Sequence, residues 1–253
     1  MAVVELRGVS LKYHTVEGEI TALQDVNLKV KHKEFVSIVG QSGCGKSTLL
    51  SLVSGLINPT RGEILIDNEP IKGTSKRVGY MLQQDYLFEW RTILDNALLG
   101  LEIRREKTLE AVDRVHHMLQ AYGLGGFESY YPPQLSGGMR QRVALIRTLA
   151  TEPDVLLLDE PFSALDYQKR LAVAEEVARI LKEREKTVIM VTHDIPEAVS
   201  MANRVIVMTP RPGTIQSIHS IKMCDEGMTP LQKRESPQFR EYFTTIWKEL
   251  NAG

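Results

Sequence analysis

The chain has 253 residues, 43% of them hydrophobic and 25% charged, which is typical of a globular protein long enough to bury a sizeable core. Its net charge of −1, from 31 Lys+Arg and 32 Asp+Glu, argues against a broad nucleic-acid interface, so we expect no nucleic-acid partner. Two cysteines, Cys44 and Cys224, exclude a disulfide framework, and no apolar run approaches the ~20 residues that span a bilayer. We therefore expect a soluble protein unless a partner holds it at a membrane.

The first elements are predicted to be strands. Residues 9–13 (VSLKY) and 26–30 (VNLKV) alternate apolar and polar side chains, as half-buried strands do, and a polar connection between them suggests an antiparallel pair. Residues 34–40 (EFVSIVG) form instead a continuous apolar run, which is typical of a strand buried on both faces. This strand leads into a glycine-rich loop and then a helical pattern.

The middle of the chain changes to a mostly helical pattern. From about residue 87 to 151 we predict an inserted helical lobe, because strands precede it (RVGYMLQQ) and resume at residues 154–161 (DVLLLDEP) and 187–194 (TVIMVTHD). A helix is predicted from Leu171 to Arg184, and another strand at RVIVMT. In the lobe, one helix face is predicted to carry Leu109, Val112, Val115, Met118, Leu119 and Tyr122.

The last predicted element is a helix at about residues 236–250. Ser236 is a typical N-cap and Pro237 suits the first helical position. Its apolar face is predicted to carry Phe239, Phe243, Ile246, Trp247 and Leu250. Two interpretations stay open: the face packs on the chain's own core, or it contacts a partner.

Residues 40–47 match the pattern G-x-x-x-x-G-K-[ST] and are called the P-loop below. Glycines let the backbone curl so that successive N–H groups converge on phosphate oxygens, and the following helix adds its partial positive charge. Lys46 is expected to reach the β- and γ-phosphates of a nucleotide, and the Ser47 hydroxyl to bind Mg²⁺. We expect Cys44 to contribute its backbone N–H, while its thiol is structural. The predicted nucleotide-binding residues here are Gly40, Gln41, Ser42, Gly43, Cys44, Gly45, Lys46, Ser47 and Thr48.

Two acids follow the apolar run of residues 155–158, at the end of a predicted buried strand. In open α/β sheets, ligands bind at the carboxyl ends of the strands. Asp159 is therefore expected to hold Mg²⁺, directly or through water, and Glu160 to orient or deprotonate the attacking water. An acidic pair alone is weak evidence, but the P-loop strengthens it.

The motifs GQSGCGKST, LSGGMRQRV, VLLLDEP, SALD and VTHD occur in that order, and with them the chain resembles the nucleotide-binding subunit of an ABC transporter. The resemblance implies a single α/β domain over residues 1–253, an ABC ATPase: a P-loop NTPase core with an antiparallel β subdomain and an inserted α-helical lobe. It implies ATP hydrolysis coupled to transmembrane transport, with ATP and Mg²⁺ as cofactors. It also implies a head-to-tail dimer, in which ATP lies between the P-loop of one copy and the LSGG signature (residues 135–138) of the other. Ser136, Gly137 and Gly138 would then contact the γ-phosphate bound by the partner copy.

The resemblance assigns further roles. Tyr13 matches the aromatic residue that stacks on adenine, and Gln83 matches the glutamine that ligates Mg²⁺ and senses the attacking water. The SALD turn (residues 163–166) matches the D-loop, which crosses the dimer, so Asp166 is expected near the nucleotide. His193 matches the switch histidine that contacts the γ-phosphate. Together with Glu160, Gln83 and His193 form the predicted catalytic set.

Within the family, YMLQQDYLFEWRTILDN, PEAVSMANRVIVMTPRPGTI and SPQFREYFTTIWKEL resemble the nitrate/sulfonate/taurine importer subunits. The resemblance implies a separate permease, a solute-binding protein acting through it, a small and often anionic solute, and a place on the cytoplasmic side of the cell membrane, peripheral through the permease. Glu89 precedes Trp90 where relatives typically have proline, which leaves the identity of the permease open.

Two other classes of P-loop protein predict different sequence features. A non-transport ABC ATPase would carry a long coiled coil between P-loop and signature, or two cassettes in one chain. A P-loop kinase or GTPase would have neither a signature nor a switch histidine. The importer ATPase fits the sequence better than either.

Overall fold

The computed structural model describes residues 2–16, 18–163, 165–183, 185–224 and 227–251. In chain order its elements are β1 (Ala2–Thr15), β2 (Gly18–Lys31), β3 (Phe35–Val39), α1 (Lys46–Val53), β4 (Arg61–Ile66), β5 (Glu69–Pro70), β6 (Val78–Met81), α2 (Ile93–Arg104), α3 (Leu109–Ala121), a 3₁₀ helix (Pro132–Gln134), α4 (Gly137–Leu149), β7 (Val155–Asp159), α5 (Tyr167–Glu183), β8 (Thr187–Thr192), α6 (Ile195–Met201), β9 (Arg204–Met208), β10 (Ile215–Ser220), α7 (Pro230–Glu235) and α8 (Pro237–Asn251).

The first sheet is antiparallel, in the order β2-β1-β4-β5. The predicted strands at residues 9–13 and 26–30 are parts of β1 and β2, which are 14 residues each and pair as predicted. They are longer because the apolar, buried Val3, Val4 and Leu6 precede the predicted segment in β1, and because residues 18–21 of β2 pair with the end of β1.

The second sheet has the order β10-β9-β3-β8-β7-β6 and is parallel except for its edge strand β10. Every residue of β7 and β8 is buried, as their unbroken apolar runs predict. Their side chains alternate between two cores: Leu156 and Leu158 pack with the helices α2–α5, whereas Val155 and Leu157 pack with α1 and the first sheet. The α/β class predicted from the sequence is thereby confirmed.

Helices cover the parallel sheet on both faces. Helix α1 packs between the two sheets, and α6 and α8 form a third cluster with Val39, Val205 and Val207 of β3 and β9. Helices α2, α3 and α4 all fall between β6 and β7. In the part of the chain that the structure describes, no helix is both long and apolar enough to cross a membrane.

Several details differ from the prediction. Leu109 is 90% exposed at the start of α3, and Trp247 is 51% exposed on α8, so neither belongs to the buried face assigned to it. Helix α5 begins at Tyr167 instead of Leu171, and the predicted end at Arg184 lies outside the described residues. The sequence did not reveal α6, α7 or the edge strand β10 as elements of their own.

Candidate active site

The P-loop joins the end of the buried strand β3 to the start of α1. Gly43 (φ +77°) and Gly45 (φ +106°) adopt left-handed backbone conformations that other residues rarely adopt. A Cβ on Gly40 would lie 2.6 Å from the Cys44 Sγ atom, so that glycine is also required for packing. Cys44 is buried, as expected for a structural thiol, whereas Gln41 and Ser42 are exposed.

Helix α1 begins without a side-chain cap, so its first N–H groups are left for another acceptor. Lys46 is buried, and its Nζ donates to the carbonyl oxygens of Gly40 (2.8 Å) and Gln41 (3.0 Å). Ser47 is exposed and Thr48 half-buried in the same first turn. Free N–H groups at a helix N-terminus beside an ammonium group form an arrangement suited to a polyphosphate.

Asp159 ends β7 directly beside the P-loop. Ser47 Oγ donates to its Oδ1 (3.0 Å), and the Tyr80 hydroxyl donates to its Oδ2 (3.2 Å). Burial raises the pKa of Asp159 despite these two hydrogen bonds, which favour the charged form. Tyr80 was not predicted as a site residue. It lies on β6, the strand paired with β7, and the register of neighbouring strands was the only available signal.

Glu160 contacts the other two predicted catalytic side chains, Gln83 and His193. Gln83 Nε2 donates to Glu160 Oε2 at 3.0 Å, and His193 Nδ1 lies 3.1 Å from the same oxygen. Among the hydrogen bonds of the described residues, none reaches Glu160 Oε1. The Glu160 backbone has φ +44°, a strained value for a non-glycine residue, and its N–H donates to Val191 O. These three predicted residues therefore lie together, with one carboxylate oxygen available.

The signature lies at the start of another helix. Ser136 caps α4, its Oγ accepting from the Met139 N–H at 3.4 Å. Ser136 is exposed, Gly137 half-buried and Gly138 buried. No hydrogen bond or ion pair within the described ranges joins these three residues to the P-loop of the same chain. The two glycine-rich helix starts are therefore separate sites on one chain.

The predicted D-loop lies beneath the signature. A Cβ on Gly138 would lie 3.1 Å from Leu165 Cδ2, so the two motifs are in contact. Ser163 Oγ donates to the Glu160 carbonyl at 3.0 Å. Asp166 is exposed, and Ala164 within this turn lies outside the described residues.

Arg170 connects the D-loop to Asp194, the residue after the switch histidine. It was not predicted from the sequence. Its guanidinium donates to the Leu165 carbonyl (3.2 Å) and to the Asp194 carboxylate (3.0 Å), the residue after His193. Its Nε lies 3.8 Å from the buried Glu197 carboxylate. Its position in the first turn of α5 resembles that of any surface arginine, so the sequence carried no signal for it.

Two arginines of α4 hold the loop that follows Gln83. Arg140 Nε donates to the Asp85 carboxylate at 3.0 Å, while Arg147 donates to the carbonyl oxygens of Asp85 and Tyr86. The signature helix and this loop are therefore joined. Tyr13 lies apart from this network, half exposed near the end of β1.

The chain is similar in sequence to a large group of proteins. Residues 23–163 match the family model described as ABC transporter. An uncharacterised ABC transporter ATP-binding protein, YtlC of Bacillus subtilis, is 45% identical over the whole of this chain and 97% of its own length. The taurine import ATP-binding protein TauB of a Jannaschia species is 38% identical, over 95% of this chain and 91% of TauB.

The fold is also shared with solved structures. The dimeric structure of MJ0796, a bacterial ABC transporter cassette, superimposes with a TM-score of 0.78 at 34% identity, covering 87% of this chain and 99% of that one. A second dimeric structure of the same cassette, in a post-hydrolysis state bound to ADP and Pi, gives a TM-score of 0.76 with the same identity and coverage.

Proposed function

Because the chain belongs to the family of ABC transporter ATP-binding subunits and is an ATPase of that family, we propose that it drives uptake of a small, anionic solute of the sulfonate or taurine type through a separate permease. The full-length similarity to the taurine import protein supports this solute class. The solute itself does not contact the ATPase in this proposal, so its identity depends on the permease and on a solute-binding protein.

The observation that carries the proposed mechanism is the separation of the two glycine-rich helix starts. Each offers N–H groups to an anion, yet no hydrogen bond among the described residues joins Ser136 to the P-loop of its own chain. In a head-to-tail dimer, Ser136, Gly137 and Gly138 of one copy would contact the γ-phosphate bound to the P-loop of the other. The dimeric structure of the related MJ0796 cassette supports a dimer for this chain.

Glu160 is proposed to act on the attacking water. Gln83 and His193 both bind its Oε2, which fixes the direction of the carboxylate and leaves Oε1 to accept a proton from water. His193 is exposed, and we propose that it contacts the γ-phosphate when a nucleotide is bound. Asp166 is proposed to line the nucleotide across the dimer, and Tyr13 to stack on the adenine ring.

The metal proposed for this site is Mg²⁺. Ser47 Oγ and Asp159 Oδ1 lie 3.0 Å apart, and such hard oxygen atoms are the ligands that Mg²⁺ prefers. The amide nitrogen of Gln83 donates to Glu160, so its amide oxygen is available to the metal. Among the described residues, no group of three His, Cys, Asp or Glu side chains is placed to hold a metal ion. Phosphate oxygens would therefore complete the ligand set. Bound Mg²⁺ would neutralise charge that develops on the phosphates.

The permease is proposed to dock on the loop that follows Gln83. Trp90 is 74% exposed and stacks on Phe88, and Tyr86 is also exposed, which is unusual for large aromatic side chains on one loop. This loop is bound to the signature helix α4 through Arg140 and Arg147. Closure of the dimer would therefore move the docking surface. The proposed location is the cytoplasmic side of the membrane, peripheral through the permease.

Ser136→Arg tests the divided site. The larger side chain should block the partner's γ-phosphate and abolish steady-state ATP hydrolysis while leaving ADP binding to the isolated chain unchanged. Ser220→Arg, at an exposed position of β10, is the matched control and should hydrolyse ATP normally. If Ser136→Arg lost ADP binding as well, the signature would be part of its own chain's site.

The proposed solute class is tested by growth. A strain deleted for this chain should fail to use taurine or an alkanesulfonate as its only sulfur source, and the native chain should restore growth. Restoration by Glu160→Gln, or normal growth of the deletion strain on every sulfonate, would contradict the proposal.

A further inference from the structure

A short loop that the family motifs leave unexplained lies against the P-loop. Residues 209–214 (TPRPGT), called the hairpin loop below, connect β9 to β10. Three hydrogen bonds close it: Thr209 N to Thr214 O (3.0 Å), Thr214 N to Thr209 Oγ1 (3.0 Å) and Thr209 Oγ1 to Pro212 O (3.2 Å). The loop is therefore held in one conformation by its own contacts.

Gly213 places the backbone of the hairpin loop between β2 and the P-loop. Its N–H donates to Ala22 O (2.9 Å), and its carbonyl accepts from the Gln24 N–H (3.0 Å). A Cβ at this position would lie only 2.0 Å from the Cys44 carbonyl oxygen. The two backbones are therefore in direct contact, and no side chain fits between them.

Arg211 extends from this loop to the bend of the P-loop at Gly43. Its Nη2 donates to the carbonyl oxygen of Gly43 at 3.1 Å, where the backbone has φ +77°. The next N–H, that of Cys44, donates to Gln41 O at 3.3 Å. The peptide unit between Gly43 and Cys44 is consequently held at both ends, by Arg211 on one side and by the turn on the other.

We propose that Arg211 is a positioning residue of the nucleotide site, which holds the P-loop bend at Gly43 so that its N–H groups are arranged for phosphate before the nucleotide arrives. A loop that is already ordered loses less conformational entropy on binding. This inference rests on the proposed role of the P-loop in phosphate binding.

Arg211 is expected to affect nucleotide binding and not the hydrolysis step. Arg211 contacts the loop that binds the ground state, and no hydrogen bond among the described residues connects it to Glu160, Gln83 or His193. Loss of the arginine should therefore raise KM for Mg-ATP and leave kcat largely unchanged.

The experiment is calorimetric titration with ADP, which requires no dimer closure and is not hydrolysed. Arg211→Ala should weaken ADP binding by about three- to tenfold, the range expected for one hydrogen bond to a backbone carbonyl. KM for Mg-ATP should rise by a similar factor, with kcat within about twofold of the native value. Arg211→Lys keeps a charged donor and should recover most of the affinity.

Two controls accompany this test. Arg240→Ala removes an exposed arginine of α8 and should bind ADP as the native chain does, which separates the Gly43 contact from a general loss of positive charge. Thermal melting of each variant verifies that it is folded; Arg211 is exposed, so a stable fold is expected.

Unchanged ADP affinity in folded Arg211→Ala would overturn the inference, as would an equal loss in Arg240→Ala or a fall in kcat at constant KM. The proposed P-loop role fails differently: Lys46→Ala would then bind ADP as tightly as the native chain.

Discussion

Glu197 is a buried carboxylic acid whose ionisation the fold disfavours. Its carboxylate is 2% exposed and accepts from Thr192 Oγ1 at 2.7 Å. Burial raises its pKa from 4.5 to about 7, with the nearby Asp194 carboxylate adding to the shift and Arg170 and Arg234 opposing it. Through Thr192 it is thereby hydrogen-bonded to the residue that precedes His193.

The raised pKa of Glu197 predicts how stability depends on pH. Below pH 4.5 Glu197 is protonated in both the folded and the unfolded state. Between pH 4.5 and about 7 the unfolded chain releases this proton and the folded chain retains it, so the contribution of Glu197 to stability falls as pH rises and is constant above that window. Glu197→Gln stays neutral, so its unfolding free energy relative to the native chain should rise across the same window.

Urea unfolding at pH 5, 6, 7 and 8 measures this difference. Glu235→Gln, which changes an exposed glutamate of α7, is the control and should differ from the native chain by the same amount at every pH. A pH-independent difference between Glu197→Gln and the native chain would show that the buried carboxylate ionises as readily as in the unfolded state.

Residue types and spacing predicted the P-loop and the acids that follow β7, because each belongs to a local motif at a strand end, whereas the role of His193 came from the resemblance to the family. They did not predict Tyr80, Arg170 or Arg211, whose contacts depend on segments far apart in the chain. Tyr80 needs the pairing of β6 with β7, and Arg211 needs the docking of the hairpin loop on the P-loop. Only tertiary structure supplies those relations.

At the scale of elements, α8 is the clearest case of a helix anchored by one face. Ile246 is fully buried with Val39, Ile195 and Val199, and Gln41 Nε2 of the P-loop donates to the Leu250 carbonyl at 3.1 Å. Of the two interpretations left open by the sequence, packing on the chain's own core is the one observed for this face.

Ile246→Ala should therefore lower the unfolding free energy by about 2–5 kcal/mol, through lost burial and the cavity left behind. The adjacent Trp247→Ala removes a larger side chain that is 51% exposed, and we expect it to cost less than Ile246→Ala. Denaturant unfolding of both variants compares them. Equal costs, or a larger cost at Trp247, would mean that α8 docks through a different face.

The prediction for Trp247 was wrong because periodicity does not define the width of a buried stripe. Around the helix, residue 247 lies about 70° from the centre of the stripe formed by residues 239, 243, 246 and 250. It is therefore a border position, and the neighbouring elements decide its burial. Leu109 is a different case, since it lies roughly 135° from the centre of the buried positions 111, 115, 118 and 119 and is therefore on the opposite side of α3.

Edge strand β10 was missed for a different reason. Its sequence, IQSIHS, is mostly polar and lacks the long apolar run that identifies β7 and β8. It pairs with β9 on one side only, and its half-buried positions include Ser217 and His219, which bind Glu249 of α8. Its strand conformation comes from these tertiary contacts instead of from a strong local preference.

At the scale of the whole molecule, the order of the motifs was sufficient to predict the class of fold and the family, because each motif occupies a defined strand end or helix start. The relation between the two glycine-rich helix starts could not be derived from one chain. Within the described structure the signature contacts the D-loop and, through α4, the loop after Gln83, but no hydrogen bond or ion pair joins it to the P-loop. In the proposed divided site, one chain would therefore contribute one half to each of two nucleotide sites.

The most direct test of this divided site is the mass of Glu160→Gln in solution with saturating Mg-ATP, measured by light scattering. Without hydrolysis, the contacts between each γ-phosphate and the partner's signature should persist, so we predict twice the mass of the single chain with ATP and the single-chain mass with ADP. Adding Ser136→Arg to the same variant should return the ATP sample to the single-chain mass. A single chain at saturating Mg-ATP, with nucleotide bound to it, would contradict the account.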